Sequence, residues 1–225
     1  MERWAIVVAG GSGQRMGSEL PKQFLTLGGK PILVHTLELF LQCLSSPEKI
    51  RLVIPPSHFP TWNSLAPDHL KQIPLIPGGS TRYESVKNGL NSIPASGVVA
   101  IHDGVRPLAS ENLIMLAYSQ AENKGSAIPL VPLNDSLRYS NNNHWEAFDR
   151  NLIRAVQTPQ VFSTSLLMEA YQNTAYSEHI TDDTMVFEKA GFIPHFIPGE
   201  RENIKITTPI DLVTAEAILQ QNKRS

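Results

Sequence analysis

Short apolar runs alternate along this chain with stretches of helical spacing, and that alternation constrains the fold more than any other feature. Residues 4–8, 50–54, 72–76, 98–101 and 126–131 are apolar runs of strand length. Between them, Pro31 stands where a helix can begin, and Ile32, Leu33, Leu37, Phe40, Leu41 and Leu44 form one stripe at helical spacing. Thr81 and Glu84 have capping-box spacing ahead of Val86, Leu90 and Ile93. Ser110 precedes a helix-like run over 113–122, and Thr208, Pro209 and Asp211 open another over 210–221. The pattern predicts an α/β fold, a mostly parallel sheet with helices on both faces. A length of 225 residues suits one such unit.

One stretch breaks the rhythm. Residues 134–151 read NDSLRYSNNNHWEAFDRN, polar, with a turn signal at Asn141, Asn142 and Asn143. This predicts a β-hairpin with little apolar face of its own. A lone hairpin is marginal in water, so it needs a surface to lie on. Residues 203–207, NIKIT, read as a further strand carrying one lysine.

Composition excludes more than it identifies. Lys and Arg number 19 against 21 Asp and Glu, a net charge of −2, which is not the footprint of a nucleic-acid or anionic-membrane binder. The single cysteine, Cys43, excludes an internal disulfide and a cysteine zinc cage. No run approaches eighteen apolar residues. The strand-like run at Trp4 leaves no room for a signal peptide, so the expected location is cytoplasmic.

The chemistry must come from local motifs. Residues 7–23 read VVAGGSGQRMGSELPKQ. Ala9, Gly10, Gly11 and Gly13 follow directly on the first strand, where backbone N–H groups can approach a phosphate closely. The dinucleotide fingerprint fails because Met16 occupies its third glycine position, and the Walker A pattern fails at every register. What remains is a glycine loop followed by two cations, Arg15 and Lys22, which suits a polyphosphate. Residues 101–107, IHDGVRP, put Asp103 at the end of the fourth strand, where a carboxylate can hold Mg²⁺ beside a triphosphate. Arg106 is a candidate anion clamp, with a surface pairing to Glu111 as its bland alternative. His102 reads as an ordinary buried histidine. Gly79, Ser80 and Ser85, in the segment PGGSTR and the helix after it, could serve a helix start or read a base or ribose. Capping alone could explain Thr181 or Asp182 in the segment ITDDT.

Taken in order, AGGSGQRMG, PKQ, HDGVRP, DRN, QTPQVF, ITDD and ENIKIT resemble the motifs of the 2-C-methyl-D-erythritol 4-phosphate cytidylyltransferases, over nearly the whole chain. The resemblance implies a Rossmann-like α/β domain in which the hairpin is an arm crossing to the partner of a homodimer. It implies CTP and a polyol phosphate as substrates and Mg²⁺ as cofactor. Arg15 and Lys22 match the pair that contacts the triphosphate and the reacting α-phosphate, and Gly11 and Gly13 match the phosphate loop. Gly79, Ser80 and Ser85 match positions near cytosine and ribose, and Asp103 the aspartate near the metal. Arg106, Ser136, Thr181 and Lys205 match positions around the acceptor, with Lys205 among the catalytic cations. Arg150 matches the arginine donated by the opposite arm. The chain departs from the pattern at 134–136, NDS where many members carry Arg-Asp-Thr. It departs again at Gly104-Val105, a frequent Ala-Ala.

The reaction implied is nucleotidyl transfer from CTP to 2-C-methyl-D-erythritol 4-phosphate. The competing readings are a ribitol-5-phosphate cytidylyltransferase, which shares the loop, and a non-catalytic nucleotide-binding module on the same fold.

Overall fold

The structure is a computed structural model and describes residues 1–11, 16–17, 20–141 and 144–222, the side chains of Asn141 and Asn222 excepted. The strands are β1 (Arg3–Val8), β2 (Thr26–Leu27), β3 (Lys30–Pro31), β4 (Ile50–Ile54), β5 (Leu75–Pro77), β6 (Val98–Asp103), β7 (Ser126–Pro132), β8 (Leu137–Asn141), β9 (His144–Phe148), β10 (Arg154–Val156), β11 (Gln160–Ser163) and β12 (Phe196–Pro198). The helices are α1 (Ile32–Leu44), α2 (Phe59–Leu65), α3 (Arg82–Leu90), α4 (Glu111–Lys124), α5 (Thr164–Asn173), α6 (Asp183–Lys189) and α7 (Pro209–Asn222).

The main sheet runs β10-β7-β11-β6-β1-β4-β5, with β12 also on β7. Its parallel half is β6-β1-β4-β5, where Val8 pairs with Asp103 and Val53 pairs with Ile76. The other half is mixed, since β11 runs antiparallel to both β6 and β7, and β10 antiparallel to β7.

Strand β1 shows why the sheet needs cover on both faces. Ala5 and Val7 join one core with Leu33, Leu37 and Phe40 of α1 and Ile114, Ala117 and Tyr118 of α4. Trp4, Ile6 and Val8, pointing the other way at the strand period of two, join a second core with Val86 and Leu90 of α3, Leu167 of α5 and Phe187 of α6. Burying each large apolar side chain contributes roughly 1.5–3 kcal/mol. A third, smaller core of Leu27, Ile32, Val105, Leu108, Ile206 and Ala215 fastens α7 and the segment before it beside the end of β6. No helix among the described residues is long and apolar enough to cross a membrane.

Several local expectations need correction. Pro31 is extended, ends β3 and caps α1 instead of entering its first turn. The strand expected over 72–76 is Leu75–Pro77. The segment 203–207 forms no strand: Ile206 N–H donates to Val105 O at 2.9 Å and its side chain is buried, but no sheet neighbour runs beside it. Half of the capping box forms, with Glu84 N–H donating to Thr81 Oγ1 at 3.1 Å. The Glu84 carboxylate accepts instead from Ser80 N–H and Ser80 Oγ, both at 2.7 Å. Ser110 caps α4 by accepting from Leu113 N–H, and Asp211 opens α7 by accepting from the N–H groups of Thr207 and Thr208. The hairpin exists, but among the described residues β8 and β9 pair only with each other, and Trp145 on it is 71% exposed.

Candidate active site

The carboxyl ends of β1 and β6 and the loop after β5 open onto one cleft, the place where open α/β sheets bind ligands. Ala9 N–H donates to Val53 O, Gly78 N–H to Ile54 O and Gly104 N–H to Val8 O, each at 2.9 Å, so the loops leave the strand ends as one tied layer. Among the described residues the cleft shows two adjoining cavities. The larger, about 460 Å³, is lined by Ala9, Gly10, Gly11, Lys22, Gly79, Ser80 and Ser85, together with Asp103 and Lys205. The smaller, about 210 Å³, takes Arg106, Thr158, Gln160, Thr181 and Asp182. Arg82, Asp103 and Lys205 belong to both.

Lys22 opens a single 3₁₀ turn, Lys22–Phe24, behind Pro21. Its chain lies over Gly11, where an added Cβ would sit 3.4 Å from Lys22 Cε. The next residue holds the turn down: Gln23 is fully buried and donates to Ala9 O at 2.8 Å. The first strand's exit and the lysine are thereby one unit. Gly79 makes a second close approach, since a Cβ there would meet Glu84 Cβ at 2.3 Å. Ser85 donates to Thr81 O and accepts from Gly79 N–H, so its hydroxyl shapes the loop that faces the larger cavity.

Asp103 is the centre of charge. Its Oδ2 lies 2.8 Å from Lys205 Nζ and 3.6 Å from Arg106 Nε, and its Oδ1 lies 3.5 Å from Arg82 Nε. Burial would push its carboxyl up, but Arg82, Lys205 and Arg106 overrule that and hold it well below the usual carboxylate range. Arg106 Nη1 donates to Asn203 O at 2.7 Å, and Asn203, fully buried, donates to Thr158 O at 2.8 Å. That ties the Lys205 segment to the strand end without a ladder. Behind Asp103, His102 is fully buried and bridges Thr158 Oγ1 and Arg106 O. Burial pulls its pKa down to about 4, which keeps the ring neutral.

The expected site residues divide accordingly. Ala9, Gly10, Gly11, Lys22, Gly79, Ser80 and Ser85 meet around the larger cavity, and Arg106 and Thr181 around the smaller. Asp103 and Lys205 join the two cavities. Gly13 and Arg15 lie outside the described residues. Ser136 and Arg150 line neither cavity; both are exposed at the base of the hairpin, where Arg150 donates to Asn134 O. The surface pairing of Arg106 with Glu111 is absent among the described ion pairs, and Arg106 faces Asp103 instead.

The family model of 2-C-methyl-D-erythritol 4-phosphate cytidylyltransferase matches residues 4–221. The chain belongs to the 2-C-methyl-D-erythritol 4-phosphate cytidylyltransferase family. The Bacteroides fragilis protein of that name is 44% identical over 222 residues, covering 97% of this chain and 100% of the relative. The Clostridium botulinum protein of that name is 41% identical over 96% of this chain. The crystal structure of 2-C-methyl-D-erythritol 4-phosphate cytidylyltransferase from Thermus thermophilus superposes with a TM-score of 0.80 at 31% identity, covering 98% of this chain and 100% of that one. That of 4-diphosphocytidyl-2C-methyl-D-erythritol synthase from Anaerococcus prevotii gives 0.82 at 29%, covering 97% and 96%. The shared fold extends to the mixed half of the sheet, so the cytidylyltransferase family's Rossmann-like architecture is the one observed.

Proposed function

We propose that the cleft transfers a cytidylyl group from CTP to 2-C-methyl-D-erythritol 4-phosphate, with the larger cavity holding the nucleotide and the smaller the alcohol phosphate. The chain is a cytidylyltransferase of isoprenoid precursor biosynthesis by its family. The observation that carries the residue assignment is the pair of cavities sharing one charged wall. A phosphate oxygen of the acceptor attacks the α-phosphorus of CTP in line. The new oxygen–phosphorus bond forms as the bond to the β-phosphate oxygen breaks, and pyrophosphate leaves. A phosphate monoester is anionic near neutral pH, so the attack needs no general base. The obstacle is bringing two anions together, and the remedy is position and fixed positive charge.

Lys22, with Arg15, stabilises charge at the α-phosphate. Lys205 and Arg106 hold the acceptor phosphate beside Thr181, and Ser136, at the base of the arm, serves the acceptor from the arm as Arg150 does. Gly10 and Gly11 present backbone to the triphosphate, Gly13 belongs to the same phosphate-loop motif, and Gly79, Ser80 and Ser85 shape the base and ribose end.

A divalent ion fits Asp103. Among the described residues no three ligating side chains cluster, so the ion would take its other ligands from phosphate oxygens and water, as Mg²⁺ commonly does. Lys205 occupies Oδ2, while Oδ1 keeps only the longer contact to Arg82. When bound, the ion neutralises charge on the triphosphate and the departing pyrophosphate.

Residues 1–225 act as one nucleotidyltransferase unit, and 134–151 is its arm. The exposed hairpin, with Trp145 in the open and Leu152 (77% exposed) just beyond it, lies against a second copy, and Arg150 reaches that copy's cleft. Incubating the protein with CTP and 2-C-methyl-D-erythritol 4-phosphate tests the reading: a CDP-alcohol of the summed composition, identified by mass, is expected, and CTP left intact contradicts it.

A further inference from the structure

Arg82 carries no role in the sequence motifs or in the scheme above, yet it stands in the wall that both cavities share. We propose that Arg82 is a further catalytic residue that contacts the phosphoryl group in transit, and that Asp183 and Tyr171 are positioning residues that aim it. The inference rests on the cytidylyl-transfer reading of the cleft.

Three helices converge on this guanidinium. Arg82 begins α3, at the edge of the nucleotide cavity. Its Nη2 donates to Oδ2 of Asp183 at 2.7 Å, and Asp183, the first residue of α6, is fully buried. The other carboxylate oxygen of Asp183 accepts from Tyr171 OH at 2.7 Å, from α5. Tyr171 is fixed in turn by Tyr83, whose ring lies 4.7 Å away and whose hydroxyl donates to Tyr171 O and Thr174 O. A buried carboxylate is costly unless paired and hydrogen-bonded. Asp183 meets that condition through one guanidinium and one phenol, which leaves Arg82 a narrow choice of direction.

The pair is not withdrawn into the core on both sides. Asp183 has no exposed surface, whereas the Arg82 side chain keeps 29% of its own, in a position that lines both cavities. Burial works against its charge, but Asp183 and Asp103 more than offset that, and the guanidinium stays ionised. An arginine has five donors in a rigid fork. One edge anchors on Asp183 and Nε leans toward Asp103 at 3.5 Å, so the remaining donors can meet phosphate oxygens.

The position defines the role. The bond that forms joins an oxygen from the smaller cavity to phosphorus from the larger, and the bond that breaks releases pyrophosphate on the larger side. Of the three side chains in the shared wall, Asp103 carries negative charge and would hold the metal ion, and Lys205 serves the acceptor. Arg82 is the remaining cation there, beside the phosphorus while its oxygens gain charge.

The test compares kcat and KM for the wild type, Arg82→Lys, Asp183→Asn and their double variant by pyrophosphate release. Melting temperature and CTP binding verify the fold of each. Arg82→Lys keeps a charge but cannot span Asp183 and the cavities, and is expected to lower kcat on the order of 10²-fold with KM for CTP close to wild type. Asp183→Asn keeps the shape and is expected to lower kcat about 10-fold, the scale for a supporting partner. The double variant is expected to match Arg82→Lys alone, because Asp183 acts through Arg82. Near-normal kcat in folded Arg82→Lys, or losses that multiply in the double variant, would overturn the inference. Tyr171→Phe removes one hydrogen bond and no charge; it carries the same test if a charge variant fails to fold, with a smaller fall in kcat expected and an unchanged kcat contradicting it. A wild type that releases no pyrophosphate defeats the underlying reading, a different failure from an active wild type indifferent to Arg82.

Discussion

The ammonium of Lys205 lies 2.8 Å from Oδ2 of Asp103, which joins a loop late in the chain to the end of a central strand. Asp103 also faces Arg82 and Arg106, so one carboxylate keeps three cations side by side. Without it those cations repel one another. Asp103→Asn is expected to lower turnover on the order of 10²-fold, measured as pyrophosphate release. It is also expected to lower the melting temperature at neutral pH. The sign follows from the lowered pKa: the unfolded carboxyl, near 3.9, binds protons that the folded one does not. The stabilisation is fully present above that value and fades as pH falls toward the folded pKa. The stability gap between wild type and variant should therefore narrow below about pH 4.

Lys22 is nearly buried in a turn held by Gln23 against the exit of β1. A cation so fixed needs no rearrangement to stabilise charge at the α-phosphate. Lys22→Ala is expected to reduce kcat by about 10²-fold or more. If Arg150 reaches a second copy's cleft as proposed, mixing Lys22→Ala subunits with Arg150→Ala subunits is expected to restore part of the activity, because a mixed pair would then hold one intact site. Absence of rescue in verified mixed dimers would mean that Arg150 does not act across the interface.

His102 adds an acid-side stability term. Its folded pKa of about 4 lies below the unfolded value of about 6.5, so the unfolded state binds more protons between them. Stability is expected to rise with pH across that window, by up to about 3 kcal/mol, and to level off above it. Chemical denaturation from pH 4 to 8 checks this. His102→Gln should flatten the rise, and an unchanged slope would assign it to other groups.

Gly104 has no room for a side chain. A Cβ there would lie 2.8 Å from Ala9 Cβ and 3.0 Å from Leu33 Cδ1. Overpacking of this kind costs typically 1–3 kcal/mol. Gly104→Ala is expected to lower the melting temperature by about 2–12 °C, and thermal unfolding reads it directly.

The parallel half of the sheet was legible because each of its strands is an apolar run whose two faces both meet a core. The antiparallel insertion of β11 between β6 and β7 was not, since strand order depends on partners distant in sequence. Residues 203–207 misled because Ile206 alternates with an exposed Lys205 as in a strand, while its burial comes from the small core under α7. Most of the site could be found from strand-end motifs. Arg82 could not: an arginine opening a helix reads as solvated surface, and the burial of Asp183 that changes its meaning is a property of the fold.

The central claim is that this cleft joins cytidylyl to one particular alcohol phosphate. Initial rates of CTP-dependent pyrophosphate release, taken in parallel with 2-C-methyl-D-erythritol 4-phosphate and ribitol 5-phosphate, test it most directly. Release that requires both CTP and an acceptor, with the higher kcat/KM for the methylerythritol phosphate, is the expected result. Release with ribitol 5-phosphate at the higher kcat/KM, or none with either acceptor, would contradict it.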